Sequence, residues 1–360
     1  MALCCAGTLY SGRLFTLLTL QVPSASVFDD FGGAAMGRLG RRLVYFTVYL
    51  TIFTEPIVFH LTSMESLQQV FYQQGLSQRL AAFIVMAIMV PLSQVRGIED
   101  VSFCSVIGIA GMVLALVIAA AKLFLLRVGD YQPTQWLRKP EDLRGMLIGV
   151  MDIVFTYGGQ VNWMRYIISM RTPSKFPAAV AAVSAVMTTA YVGIGAIGYR
   201  QLGASFDLEK PMTSILPQDA WTVVMNAGLF AHCILAYQIN LNVWTHLIIH
   251  LAAPALNEPE RQGSAKGRGA WAVVSLAGIA IACTVAVTFP FFSTVTAVIA
   301  ALGDLAGAYS LPALFVLAMV GSRLMRVERW FLYALIPLTL ALSVAGVYSS
   351  VRELIDQVSA

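Results

Sequence analysis

Apolar runs recur along the whole of this 360-residue chain, most of them about 18 residues or longer and separated by short polar breaks. As helices, runs of that length span the hydrocarbon of a bilayer. The pattern predicts spans at 2–22, 43–70, 80–92, 101–126, 144–170, 176–199, 220–251, 270–289, 295–319 and 330–351, about ten in all, with 80–92 short. Loops are brief apart from a polar stretch at 128–142 and a Pro/Asn/Gly/Ser-rich connector at 254–269. The expectation is an all-α, polytopic bundle forming a single transmembrane domain over residues 1–360.

One stretch breaks the pattern. The run from Leu143 to Met170 carries Asp152 and then Phe155-Thr156-Tyr157-Gly158-Gly159-Gln160, which sets paired glycines and a polar residue at bilayer depth. Each glycine weakens a helix by roughly 1 kcal/mol relative to alanine. Irregular backbone at that depth is tolerated only where it is buried in protein or lines a cavity. An interrupted membrane helix beside an acid therefore reads as a solute site near the midplane, with a glycine packing notch as the alternative.

Composition narrows the classes. Hydrophobic residues make up 58% and charged residues 12%, whereas soluble domains carry about 25% charged residues. A net charge of +4 with no basic block gives nucleic-acid binding no support. The cysteines Cys4, Cys5, Cys104, Cys233 and Cys283 lie in apolar segments without metal or redox spacing. No Ser/His pair or metal-ligand set stands at usable spacing, so an enzyme, a metal site and a bound cofactor are not expected. Positive residues favour cytoplasmic loops, and Arg38, Arg41, Arg42, Arg96, Arg165, Arg171, Lys175, Arg261, Lys266, Arg268, Arg323, Arg326 and Arg329 fall on one set of alternate loops.

Ionisable groups within spans cost about 2.5 kcal/mol or more and face cavities or partners. Asp152, just before the break, is the first candidate for a proton-sensitive acid. Glu55 is the second, because Pro56 opens the helix after it. His60 and Glu65 read as interfacial, and Asp304 as a hydrogen bond across a helix contact. Gly193-Ile194-Gly195-Ala196-Ile197-Gly198 fits a dinucleotide fingerprint but lies inside a membrane helix without a preceding strand, and close packing by small residues accounts for it.

From the fifth span onward the chain resembles the amino acid/auxin permease family, in particular its plant amino acid permeases and lysine/histidine transporters. The likeness rests on Gly149-Val150-Met151-Asp152-Ile153-Val154-Phe155-Thr156-Tyr157, Met170-Arg171-Thr172-Pro173, the run from Tyr191 to Gly203, His232-Cys233-Ile234-Leu235-Ala236-Tyr237-Gln238, and Phe289-Pro290-Phe291-Phe292 followed by Ala301-Leu302-Gly303 and Pro312. It departs from the family at Arg165-Tyr166, where relatives have an acid, and at Ile239 to Val243, where they have a proline.

The resemblance implies a leucine-transporter-like fold of inverted repeats and proton-coupled uptake of amino acids or related zwitterions by alternating access. A transport-incompetent relative acting as sensor or scaffold is the alternative. It also implies that Phe155, Thr156, Tyr157, Gly158, Gly159 and Gln160 face the solute, bordered by Tyr237 and Gln238 and capped by Phe59. The coupling ion would be H+, and the location the plasma membrane or a vacuolar or other endomembrane. Tyr10 to Leu14 resembles the end of the family's second helix, with four spans before the broken one and five after it. The expectation is that the fold's first helix lies upstream of Met1.

Overall fold

The computed structural model describes residues 1–25, 27–96, 98–125, 142–203, 212–256 and 263–359, and among these it is helical with no strand. The helices are α1 (Ala2–Gln21), α2 (Phe28–Val70), α3 (Gln78–Leu92), α4 (Ile98–Leu125), α5 (Leu143–Thr156), α6 (Trp163–Ser169), α7 (Phe176–Leu202), α8 (Met212–Ile215), α9 (Ala220–Ala252), α10 (Ala265–Thr288), α11 (Phe292–Ile299), α12 (Leu311–Val320) and α13 (Arg326–Ser359). Two π-helical stretches, Ala300–Asp304 and Ala306–Ser310, join α11 to α12. Among the described residues, eight helical stretches are long and apolar enough to cross a membrane. The expected ten include two more that are not: the short α3, and the fifth run, which is split into α5 and α6. The predicted loop at 128–142 lies outside the described residues except for Asp142.

The described residues group into two compact units, Met1–Thr51 with Arg138–Gly195 and Ser293–Ala360, and Ile52–Leu137 with Ala196–Phe292. In the first, α1 packs along the second π stretch and α12. Ser11 donates to the Ala308 carbonyl at 2.6 Å, and Gly7 lies so near the Tyr309 ring that a Cβ would sit 2.9 Å from it. Arg13 and Tyr10 both reach Glu328 on α13, at 3.0 and 3.2 Å. Farther along α13, Glu353 and Asp356 hold Arg144 of α5 at 3.4 and 2.5 Å.

α2 starts well before the apolar run at 43–70 because its polar first turns find partners. Gly37 takes φ 61°, ψ −136° inside it, a conformation that only glycine adopts without strain. The kink brings the Gly32 and Gly40 backbones together with no room for a side chain. Asp29, 8% exposed, then accepts the phenols of Tyr45 and Tyr49 at 3.1 and 2.5 Å.

In the second unit α4 and α9 cross where Gly111 and Gly228 face each other backbone to backbone, the small-residue contact by which membrane helices approach. His232 adds a bond from Nδ1 to the Gly108 carbonyl at 3.2 Å. The fingerprint-like glycines do not pack in this way. Among the described residues nothing lies within 4 Å of a Cβ built on Gly193 or Gly195, and of the three Gly198 makes a contact, 3.3 Å from Met212. The expectation of a packing seam is corrected there: small residues permit close approach, and at two of the three no described element approaches.

α9 begins on Asp219, which accepts the Thr222 amide at 2.9 Å and pairs with Lys122 at 2.6 Å. The Lys122 bond, and after it the Thr222 amide, holds the Asp219 carboxyl below its usual range. The carboxylate is half exposed, so screening weakens the pair and the cap carries most of its worth. Asp219→Ala should cost about 1 kcal/mol, read as a fall of about 2 °C in the detergent unfolding midpoint. Because the folded value is the lower one, the contribution is complete above the unfolded value near about 4 and fades as pH drops through the folded value. Wild-type and variant midpoints should therefore converge on acidification.

Candidate functional site

The fifth apolar run stops being a helix where its glycines stand. α5 ends at Thr156, Tyr157 caps it, and Gly159 takes φ 99° before a single 3-10 turn leads into α6. The last carbonyls of α5 are met one by one. The Gly158 amide donates to Phe155 at 2.9 Å, the Tyr191 hydroxyl to Thr156 at 3.3 Å, and the Gln160 side chain to Tyr157 at 2.8 Å. Gln160, 1% exposed, thus turns inward as a cap within the break. Tyr157 is itself fixed: its hydroxyl meets Thr188 at 2.7 Å, and its ring stands edge-on to Tyr191.

The two glycines differ in what surrounds them. A Cβ on Gly158 would lie 2.9 Å from the Phe155 carbonyl and 3.1 Å from an Asp304 oxygen, whereas among the described residues nothing stands within 4 Å of one on Gly159. Asp304, 3% exposed, ends the first π stretch, and such distortions of a helix gather at functional sites. The π distortion lies beside α2: a Cβ on Gly303 would overlap the Thr51 hydroxyl.

Six residues before Gly158, Asp152 meets the start of α11. Ser293 donates to its Oδ2 at 2.5 Å and Thr296 to its Oδ1 at 2.8 Å. Asp152 and Phe155 are half-buried, and Phe155 packs on the cluster of Met151, Val154, Ala300, Ala301 and Leu305. One buried acid and one half-buried acid therefore flank the end of α5, Asp152 before the break and Asp304 at it.

The remaining sequence candidates belong to the second unit. Tyr237 is fully buried, with its hydroxyl 3.3 Å from His60 Nδ1. Nε2 of His60 lies 3.2 Å from the Ala82 carbonyl. A carbonyl only accepts, so Nε2 carries the hydrogen and Nδ1 accepts from Tyr237. His60 is 0% exposed: α3 and α9 enclose it, and two hydrogen bonds satisfy its ring. Gln238, 2% exposed, donates to the Val95 carbonyl at 3.0 Å, and Asn242 one turn on donates to Arg96 at 2.9 Å. Phe59 and Glu55 lie half-buried on α2, Glu55 beside Pro56. Pro56 and its neighbours Phe53 and Ile57 line an apolar crevice with Leu241, Trp244 and Gly278.

Sequence reasoning passed over Ser293 and Thr296. Their signal was present as hydroxyls three residues apart, directly after Phe289-Pro290-Phe291-Phe292, but nothing local said that Asp152 would face them. Among the described residues no group of three or more His, Cys, Asp or Glu stands together as a metal site.

A profile described as "Transmembrane amino acid transporter protein" matches residues 1–356. The chain belongs to this family. It is an integral, multi-pass membrane protein. Among curated relatives, Amino acid transporter AVT1B of Arabidopsis thaliana is 24% identical over 97% of this chain and 64% of its own length. Amino acid transporter AVT1E of the same plant is 22% identical over 98% of this chain and 66% of its own. Amino acid transporter AVT1H, also from Arabidopsis, is 22% identical over 97% and 81%. The chain thus spans about two thirds of the length of the first two transporter family members.

Proposed function

We propose that the chain is the membrane part of a secondary transporter for amino acids or related small zwitterions, driven by protons through alternating access, with no catalytic step and no bound cofactor. The observation that carries this reading is the break in the fifth run, with Gly159 at φ 99° and acids on both sides. A continuous span has no use for such a break, since it gives up helical hydrogen bonds that lipid cannot replace. A solute path does use it, because a half-helix end within a membrane run presents its dipole to the charged ends of a solute. The relatives' names point to the same solute class. Asp152 is the proton-carrying acid of this reading and Glu55 the second, with Phe155 to Gln160 facing the solute. The membrane concerned is the plasma membrane or an endomembrane such as the vacuole's.

The test is reconstitution in proteoliposomes with a panel of amino acids. Solute-evoked inward current and uptake under an acid-outside gradient are expected. Saturable binding with no flux under any gradient would overturn the reading.

A further inference from the structure

The geometry points to Thr296 as a positioning residue that lets Asp152 gain and lose a proton without leaving any group at that contact unsatisfied; the inference rests on the proton-coupled reading above. Thr296 Oγ1 stands within hydrogen-bond distance of two different oxygens, Asp152 Oδ1 at 2.8 Å and the Ser293 carbonyl at 2.9 Å. A hydroxyl has one hydrogen to donate and can accept as well, so it serves one of these oxygens at a time. With Asp152 ionised, the Thr296 hydrogen points to Oδ1 while Ser293 donates to Oδ2 at 2.5 Å. With Asp152 protonated on Oδ1, the acid hydrogen points to Thr296 Oγ1, and the threonine hydrogen swings to the Ser293 carbonyl. The proton arrives and departs at Oδ1. No heavy atom moves and no bond other than O–H changes.

The Ser293 carbonyl, in the first turn of α11, can take this bond beside a helical one because a carbonyl oxygen has two lone pairs. Other titratable groups also stand on the elements packed against α5. Tyr191 of α7 donates to the Thr156 carbonyl. Glu353 and Asp356 of α13 hold Arg144. On the π stretches, Asp304 lies beside Gly158 and Tyr309 beside Gly7, while Cys4 of α1 packs on the same apolar cluster. The arrangement is specific to a hydroxyl. Valine at 296 keeps the shape and loses both the donor and the acceptor, whereas serine keeps both.

The test compares Thr296→Val and Thr296→Ser in proteoliposomes, reading uptake from pH 4 to 8 together with monodispersity in detergent. Because a bond to the charged form is the stronger of the two lost, Thr296→Val should move the pH of half-maximal uptake upward by about one unit, tenfold in proton concentration. Thr296→Ser should restore the wild-type profile, and Ser293→Ala, which removes the other donor but leaves the carbonyl, should move the midpoint the same way. A valine variant that folds and keeps the wild-type profile would overturn the inference. If the valine variant fails to fold, Thr296→Ala decides by the same profile, an unchanged midpoint overturning the proposal. Wild-type protein without pH-dependent uptake would instead overturn the proton-coupled reading itself.

Discussion

Replacing Gly158 and Gly159 by alanine should lower amino acid uptake at least tenfold while leaving the protein folded. The two substitutions act by different routes. At Gly159 a Cβ meets no neighbour, but φ 99° is left-handed backbone, which costs an L-residue about 1–2 kcal/mol. The strain is relieved by moving toward ordinary helical angles, which is the change that would close the break. At Gly158 the backbone is unremarkable, but a Cβ would press on the Phe155 carbonyl and Asp304, pushing the acid from the end of α5. Alanine also favours helix over glycine by roughly 1 kcal/mol at each position. Uptake by the single and double variants, measured beside their elution profiles in detergent, checks this. Normal transport by the double variant would reduce the glycines to a local packing feature.

Asp152→Asn should flatten the pH dependence of uptake while lowering solute binding much less. Asparagine fits the contact that the carboxylate makes. Its carbonyl accepts from Ser293, its NH2 donates to Thr296 Oγ1, and the threonine hydrogen takes the Ser293 carbonyl at 2.9 Å. Every polar atom of that contact keeps a partner, so folding survives and only titration is lost. The same reasoning makes Asp152→Ala the harsher change, since it removes the acceptor of the Ser293 hydroxyl and leaves space beside Ser293 and Thr296. Uptake against pH for Asp152→Asn and Glu55→Gln decides between the two acids. An unaltered profile in the first with loss of pH dependence in the second would move proton coupling to Glu55.

Membrane class, most of the helices and the place of the break were legible in the sequence. All three follow from local chemistry. A bilayer demands long apolar runs with internally satisfied backbones, and two adjacent glycines weaken a helix wherever they stand. The family was legible as well, from short motifs in register between Gly149 and Pro312. What hydropathy could not give were features held by partners distant in sequence. Phe28 to Gly40 is too polar and glycine-rich to read as helix, yet it is helical on both sides of Gly37 because Asp29 is met by Tyr45 and Tyr49.

The chemistry of the acids belongs to the tertiary structure. By itself the sequence placed Asp152 in the fifth apolar run, six residues before its paired glycines. Only packing decided that Ser293 and Thr296, more than a hundred residues away, meet both of its oxygens, and that Asp304 stands against Gly158. Burial, too, was decided there. His60 has the same identity at an interface or in a core, and it is the Ala82 carbonyl and the Tyr237 hydroxyl that allow it to be 0% exposed. The physical reason is the same in each case. Hydropathy and helix propensity are sums over neighbours along the chain, whereas a hydrogen bond depends on a distance and an angle between groups that only folding brings together.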